Sequence, residues 1–375
     1  MHPRPTALFF AQLLLTIALG SMSADTAAAK PANCADRASA ACYFSFEPAG
    51  VNGRLHYYAS QSPVTGTPGP APVRALVAVH GHSRDANRAF NAALLAAKRA
   101  NVINETLVVA PVFQVATGNA AKCQTGGVPK AQEGDLLWTC GTWLKGGAAS
   151  DGKGFTSFAA LDALITELVR RWPSLRSITI AGFSAGAQMV QHYIGFAAGE
   201  AAGHVAIRYV VADPGTWLYL DDLRPQPALD GQAVDWSKCS GGADFLGNCK
   251  LEFTNMQAQC PRLNRWKYGT DGLPRILRRG AAEARARYAE ADIRYLEGAL
   301  DSGAAPGAAY KILDKSCAAS AQGPYRLQRG IAYAQYDRTV LAPGKQRKVV
   351  VVPGCAHDAA CVFASDAARA ALFGP

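Results

Sequence analysis

Short apolar runs alternate with amphipathic stretches along much of this chain, and that order constrains its fold more than any other feature. Residues 75–79, 106–113, 177–183 and 205–212 are apolar almost throughout, as expected of strands buried on both faces. Asp85 can cap a helix running to about Arg99. Residues 158–172 repeat at helical spacing and stop before Pro173, and 185–197 reads as a further helix. Residues 293–300, 328–340 and 348–352 repeat the order strand, helix, strand. An earlier stretch, 54–61, alternates well enough for a strand, and 62–72 is a loop rich in Pro, Gly and Thr. Alternation of this kind predicts an α/β fold, with a mostly parallel central sheet and helices on both faces.

Two stretches break the rhythm. Residues 114–154 and 213–275 are long, weakly periodic and rich in Gly, Trp and Cys. Loops of that length in a compact domain are usually functional insertions. Each leaves the carboxyl end of an expected strand, where open α/β sheets bind their ligands, so both are expected to wall or cover a pocket. The reading is therefore one domain over 25–375 with two insertions.

The first 24 residues have the layout of a secretory signal: a charged start, an apolar run over 7–20, then small residues. The apolar run is too short to span a bilayer, and no later stretch is long and apolar enough. All ten cysteines lie beyond it, and an even count in an exported chain suggests disulfides in a secreted or periplasmic protein. Sequence neighbours offer pairs: Cys34 with Cys42, Cys123 with Cys140, and Cys355 with Cys361. No pair has the CxxC spacing of a structural zinc site, so no metal is expected. The formal net charge of +10 is spread thinly. Its densest run, Arg275, Arg278, Arg279, Arg285 and Arg287, reads as the solvated face of a helix, and no nucleic-acid motif accompanies it.

The chemistry concentrates where a buried strand meets a helix. Gly182-Phe183-Ser184-Ala185-Gly186 matches G-x-S-x-G in that strand-turn-helix context, which points to Ser184 as a nucleophile on a tight elbow. The helix after it aims its positive end at the place where negative charge would develop. A serine needs a base, and His357 follows the last expected strand, in a loop able to reach the elbow. His192, eight residues into the helix, is expected to pack. The acid that orients the imidazole is expected to be Asp301, which ends the strand 293–300; Asp213, ending the strand before it, is the alternative. Ala185 and His82 are the expected backbone donors of an oxyanion hole, with Gly81 giving room for close approach. Trp138, Trp143 and Trp217, on the insertions, are candidate substrate contacts.

His80-Gly81, the 182–186 elbow, Asp301 and His357 stand in the order and context of the α/β-hydrolase superfamily, which the chain resembles over about residues 54–373. It is also similar to secreted esterase-like members with long tryptophan-bearing loops. The resemblance implies an α/β-hydrolase fold, acyl transfer to water without metal or organic cofactor, and a small-molecule or polymeric ester as substrate. The oxyanion segment lacks the consecutive glycines of the HGGG branch. A peptidase or amidase with the same triad is the second reading, and a non-catalytic binding protein on this fold the third.

Overall fold

Strands that are apolar on every residue need cover on both faces, and the chain provides it. The computed structural model describes residues 1–2, 34–63, 71–150, 153–199, 203–239 and 246–374. The expected signal segment, beyond its first two residues, lies outside them. One unit spans Ala32–Pro375. In chain order it contains β1 (Tyr43–Phe46), β2 (Leu55–Ala59), β3 (Arg74–Val79), α1 (Ala86–Arg99), β4 (Thr106–Val112), α2 (Thr117–Cys123) and α3 (Ser157–Arg171). There follow β5 (Ser177–Phe183), α4 (Ala185–Ile194), β6 (Ala206–Ala212), β7 (Leu223–Leu229), β8 (Gln232–Ala233), β9 (Lys250–Asn255) and α5 (Ala281–Glu290). The chain ends with β10 (Asp292–Gly298), α6 (Cys317–Ser320), α7 (Arg326–Tyr336), β11 (Val349–Val352), α8 (Ala359–Phe363) and α9 (Asp366–Phe373).

Eight strands form the central sheet in the order β1-β2-β4-β3-β5-β6-β10-β11. The pairs β1–β2 and β2–β4 are antiparallel, and the remaining pairs are parallel. Because side chains alternate across a strand, each apolar run feeds two cores. Ala75, Val77, Val79, Leu107, Val109, Ile178 and Ile180 face one core, with side chains from α3 and α4. Leu76, Ala78, Val108, Ala110, Ala181 and Phe183 face the other, with α1, α8 and α9. This division is why the runs read as continuously hydrophobic rather than as alternating.

Besides short helices that the sequence did not announce (α2, α6, α8 and α9), three departures from its expectations have a physical reason. β1, within the Ala-rich lead, forms an edge strand that the composition concealed. Asp85 holds the N-cap position of α1 without capping it; its carboxylate turns back to accept the Gly81 N–H at 2.7 Å. The second insertion carries a small antiparallel sheet, β8-β7-β9. Pro225 and Pro227 within β7 hid it, since proline is disfavoured inside a ladder. β8 is only two residues long, so most of β7 pairs with β9 alone.

All ten cysteines are paired: Cys34–Cys42, Cys123–Cys140, Cys239–Cys249, Cys260–Cys317 and Cys355–Cys361. Three pairs are the sequence neighbours expected. The Cys260–Cys317 bridge, closing 57 residues, joins the second insertion to the segment after β10. Five disulfides fit an oxidising compartment. Among the described residues, no helix is long and apolar enough to cross a membrane.

Candidate active site

The turn between β5 and α4 is shaped by two glycines that nothing larger can replace. A Cβ on Gly182 would stand 2.2 Å from the Gly186 carbonyl oxygen, and a Cβ on Gly186 would stand 2.2 Å from that of Val79. Backbone packs directly on backbone at both positions. Ser184 between them is forced to φ 58° and ψ −119°, a conformation a side-chain-bearing residue holds only where its surroundings over-determine it. Its N–H is anchored to Ala212 O, at the end of β6, at 3.0 Å. The hydroxyl is thereby lifted above the sheet.

His357 reaches it from the loop between β11 and α8. Its Nε2 lies 2.8 Å from Ser184 Oγ, and its Nδ1 lies 2.7 Å from Asp301 Oδ2. With Nδ1–H donating to the carboxylate, Nε2 is left as an acceptor for the serine proton. The loop is held by three contacts. His357 N–H donates to Gly307 O at 3.1 Å, the Cys355–Cys361 bridge brackets the imidazole, and the Phe183 ring lies 4.8 Å from it, centroid to centroid. Burial lowers the His357 pKa below its ordinary value, and the hydrogen bond to Asp301 works against that shift. Asp301, only 2 % exposed, also accepts from Arg326 Nη1 at 3.2 Å. Asp213, the alternative acid, is fully buried nearby and contacts the backbone of Gly298 instead.

The other expected site residues divide between this centre and the core. Ala185 is the first residue of α4, so its N–H lacks an intrahelical acceptor and points with the positive end of the helix. Gly81 N–H is taken by Asp85, so Gly81 contributes room rather than a donor. His82 is exposed on the loop after β3. Burial is complete for Trp143 and Trp217 and nearly so for Trp138, at 1 % exposure. Trp138 Nε1–H donates to Gly147 O, Trp143 packs on His80 and Phe113, and Trp217 stacks on Tyr333. That placement corrects the expectation of substrate contact for these three and gives them packing roles, as large aromatics fill cores readily. His192 packs as expected, its nitrogens facing Gln188 O and Lys267 O at 2.6 and 3.0 Å.

Two residues build the frame, and only the first of them, His80, stood out in the sequence. His80 is buried at the end of β3, and burial lowers its pKa to about 4, so it is neutral at ordinary pH. Its Nε2 accepts the Phe113 N–H at 3.3 Å while Nδ1–H donates to Gly81 O at 2.9 Å, which ties the loop after β3 to the end of β4. Arg84 is fully buried and in left-handed backbone at φ 46°. Its guanidinium donates to the carbonyls of Phe113, Cys123, Trp138 and Thr139, fastening the first insertion to the same segment. The second insertion is fastened in the same manner. Lys267 and Tyr268 both donate to Asp314, and Arg329 donates to Gly215 O and Asp314 O. An alternating hydrophobic pattern carries no sign of such buried cations. A cavity of about 440 Å³ lies elsewhere, between Val51, Phe155, Phe158 and Leu277, and includes no member of the triad.

No family model matches the chain, and no curated protein matches it. Solved structures do. A poly(aspartic acid) hydrolase-1 from Sphingomonas sp. KT-1 superposes with a TM-score of 0.53 at 18 % identity, covering 88 % of this chain and 97 % of the other. A poly(3-hydroxybutyrate) depolymerase from Bordetella parapertussis gives 0.46 at 16 % identity, covering 84 % and 83 %. A siderophore hydrolase from Aspergillus nidulans gives 0.41 at 12 % identity, covering 89 % and 96 %. With its strand order, its mostly parallel pairing and the first of these likenesses, the chain has the α/β-hydrolase fold.

Proposed function

We propose that this chain is an exported serine hydrolase that cleaves carboxylic esters through an acyl-enzyme on Ser184. The observation that carries the reading is the hydrogen-bonded line from Ser184 Oγ through His357 to Asp301, at 2.8 and 2.7 Å, on a strained elbow. His357 takes the hydroxyl proton as Oγ attacks the ester carbonyl carbon. The carbonyl oxygen becomes an oxyanion held by the N–H groups of Ala185 and His82, and Asp301 stabilises the imidazolium. His357 then gives its proton to the departing alkoxide as the ester C–O bond breaks. Water attacks the acyl-enzyme, again losing its proton to His357, which returns it to Ser184 as the acid leaves. The expected signal segment and the five disulfides support export.

A peptidase or amidase reading of the same triad has two observations in its favour. The similar Sphingomonas protein is a poly(aspartic acid) hydrolase, a polymer joined by amide bonds, and the +10 charge of this chain suits an anionic polymer. Matched p-nitrophenyl ester and p-nitroanilide substrates, with Ser184→Ala as control, separate the two. Ester turnover well above anilide turnover is expected; the reverse would make the amide reading the correct one. Hydrolysis surviving the substitution would remove both.

The His357 shift sets the acid side of the pH profile. A base with a lowered pKa stays neutral to lower pH, so the first rise in hydrolysis rate is expected below the ordinary imidazole value of 6.5. A profile whose lowest inflection stands at or above pH 7 would oppose this.

A further inference from the structure

Behind the triad lies a carboxyl pair that the mechanism above does not use. Asp213 follows β6 in left-handed backbone at φ 47°, and both it and Glu297 on β10 are fully buried. One Asp213 oxygen accepts the Gly298 N–H at 2.8 Å, and Gly298 O in turn receives the Asp301 N–H at 3.0 Å. The other Asp213 oxygen and both Glu297 oxygens meet no other donor among the described residues; the two carboxyls meet each other. Carboxyls in contact without solvent cannot both be charged, so at least one carries a proton and donates it to its neighbour. Gly330 of α7 closes over the pair: a Cβ there would stand 2.1 Å from a Glu297 oxygen. Carboxyl oxygens of Asp213 and Asp301 and a ring nitrogen of His357 lie within 4.8 Å of one another. The charged and titratable groups acting on Asp213 are Glu297 and Asp301, on and just after β10, and Arg326 on α7, with His357 close by.

We infer that Asp213 is a positioning residue of the triad, held by Gly298 and Glu297, whose ionised form is a second anion behind His357 that stabilises the imidazolium. In acid both carboxyls are neutral. Ionisation releases one proton to solvent, and the Asp213 carboxylate accepts from the proton that Glu297 keeps. Burial, then the neighbouring Asp301, push Asp213 up to about 7, and burial holds Glu297 well above the usual carboxylate range, so Asp213 ionises first. The inference rests on the triad proposed above.

The test is the rate of fluorophosphonate labelling against pH for the wild type, Asp213→Asn and Glu297→Met. Asparagine keeps an oxygen for the Gly298 N–H but cannot ionise. The ratio of D213N to wild-type rates is expected to be constant in acid and to fall by about threefold to tenfold as pH rises through the Asp213 ionisation. E297M removes the donor to the Asp213 anion, and is expected to move the upper rise in rate to higher pH. A D213N-to-wild-type ratio that is the same at every pH, or an upper rise unmoved in E297M, would overturn the inference. Failure of the wild type to label would instead count against the triad itself. Urea unfolding gives a second readout. An acid with a raised folded pKa stabilises fully below its unfolded value of 3.8, and that contribution is lost as pH rises through about 7. D213N is expected to lack this decline; equal pH dependence in both proteins would overturn the account of Asp213.

Discussion

Ser184→Ala is expected to lower kcat for ester hydrolysis by about a millionfold while leaving the fold intact. The effect is large because the serine, histidine and aspartate act as one unit: without Oγ there is nothing for His357 to deprotonate and no acyl-enzyme to form. Alanine fits the site sterically, since the Ser184 backbone is anchored by its own N–H to Ala212 and by its carbonyl to Gln188 N–H. The proposed oxyanion donors, the N–H groups of Ala185 and His82, are left in place, so a residual rate of about a thousandfold to ten-thousandfold over water is expected. Initial rates at matched protein concentration, with circular dichroism to confirm folding, check this. A variant within tenfold of wild type would show that Ser184 is not the nucleophile.

Gly186→Ala is expected to be as damaging to the fold as Ser184→Ala is to the chemistry. The added Cβ would lie 2.2 Å from Val79 O, at the end of the central strand β3, and 2.6 Å from the backbone O of His80, which follows it. No rotamer can relieve that overlap; either α4 moves off the sheet or β3 shifts with the loop that follows it. We expect a loss of about 4 kcal/mol or more, the range seen when a single change strikes a tightly packed core. Gly182→Ala, which meets Gly186 O at 2.2 Å, should behave alike. Gly303→Ala, with nothing within 4 Å of the new atom, should change stability by about 0.5 kcal/mol or less. Urea unfolding midpoints of the three variants give the comparison. Equal midpoints for G186A and G303A would contradict the packing described.

The alignment of Ser184, His357 and Asp301 was legible in the sequence because each lies within a few residues after a strand that hydrophobic runs alone define. β5 reads over the same residues, 177–183, in sequence and structure, and the elbow follows from the glycines beside Ser184. Asp301 over Asp213 could be favoured only by position, since both close strands in one sheet; the structure separates them by partner, His357 for one and Gly298 for the other. What stayed hidden depends on contacts far apart in the chain. Arg84 reaches carbonyls up to 55 residues away, and a lone arginine after a strand gives no hint of burial. Glu297 looks like an ordinary polar break in β10, and only the fold reveals that it faces another carboxyl. The tryptophans misled for a related reason. Long loops suggested exposed walls, yet these loops are strapped down by Arg84 and by the Cys260–Cys317 bridge, and their aromatics turn inward.

The most direct measurement is mass-spectrometric mapping of a fluorophosphonate adduct on the purified, disulfide-intact protein. The account predicts a single modified peptide carrying the adduct on Ser184, formed in the wild type and absent in both Ser184→Ala and His357→Ala. A folded protein that takes no label, or one labelled at a serine other than Ser184, would contradict it.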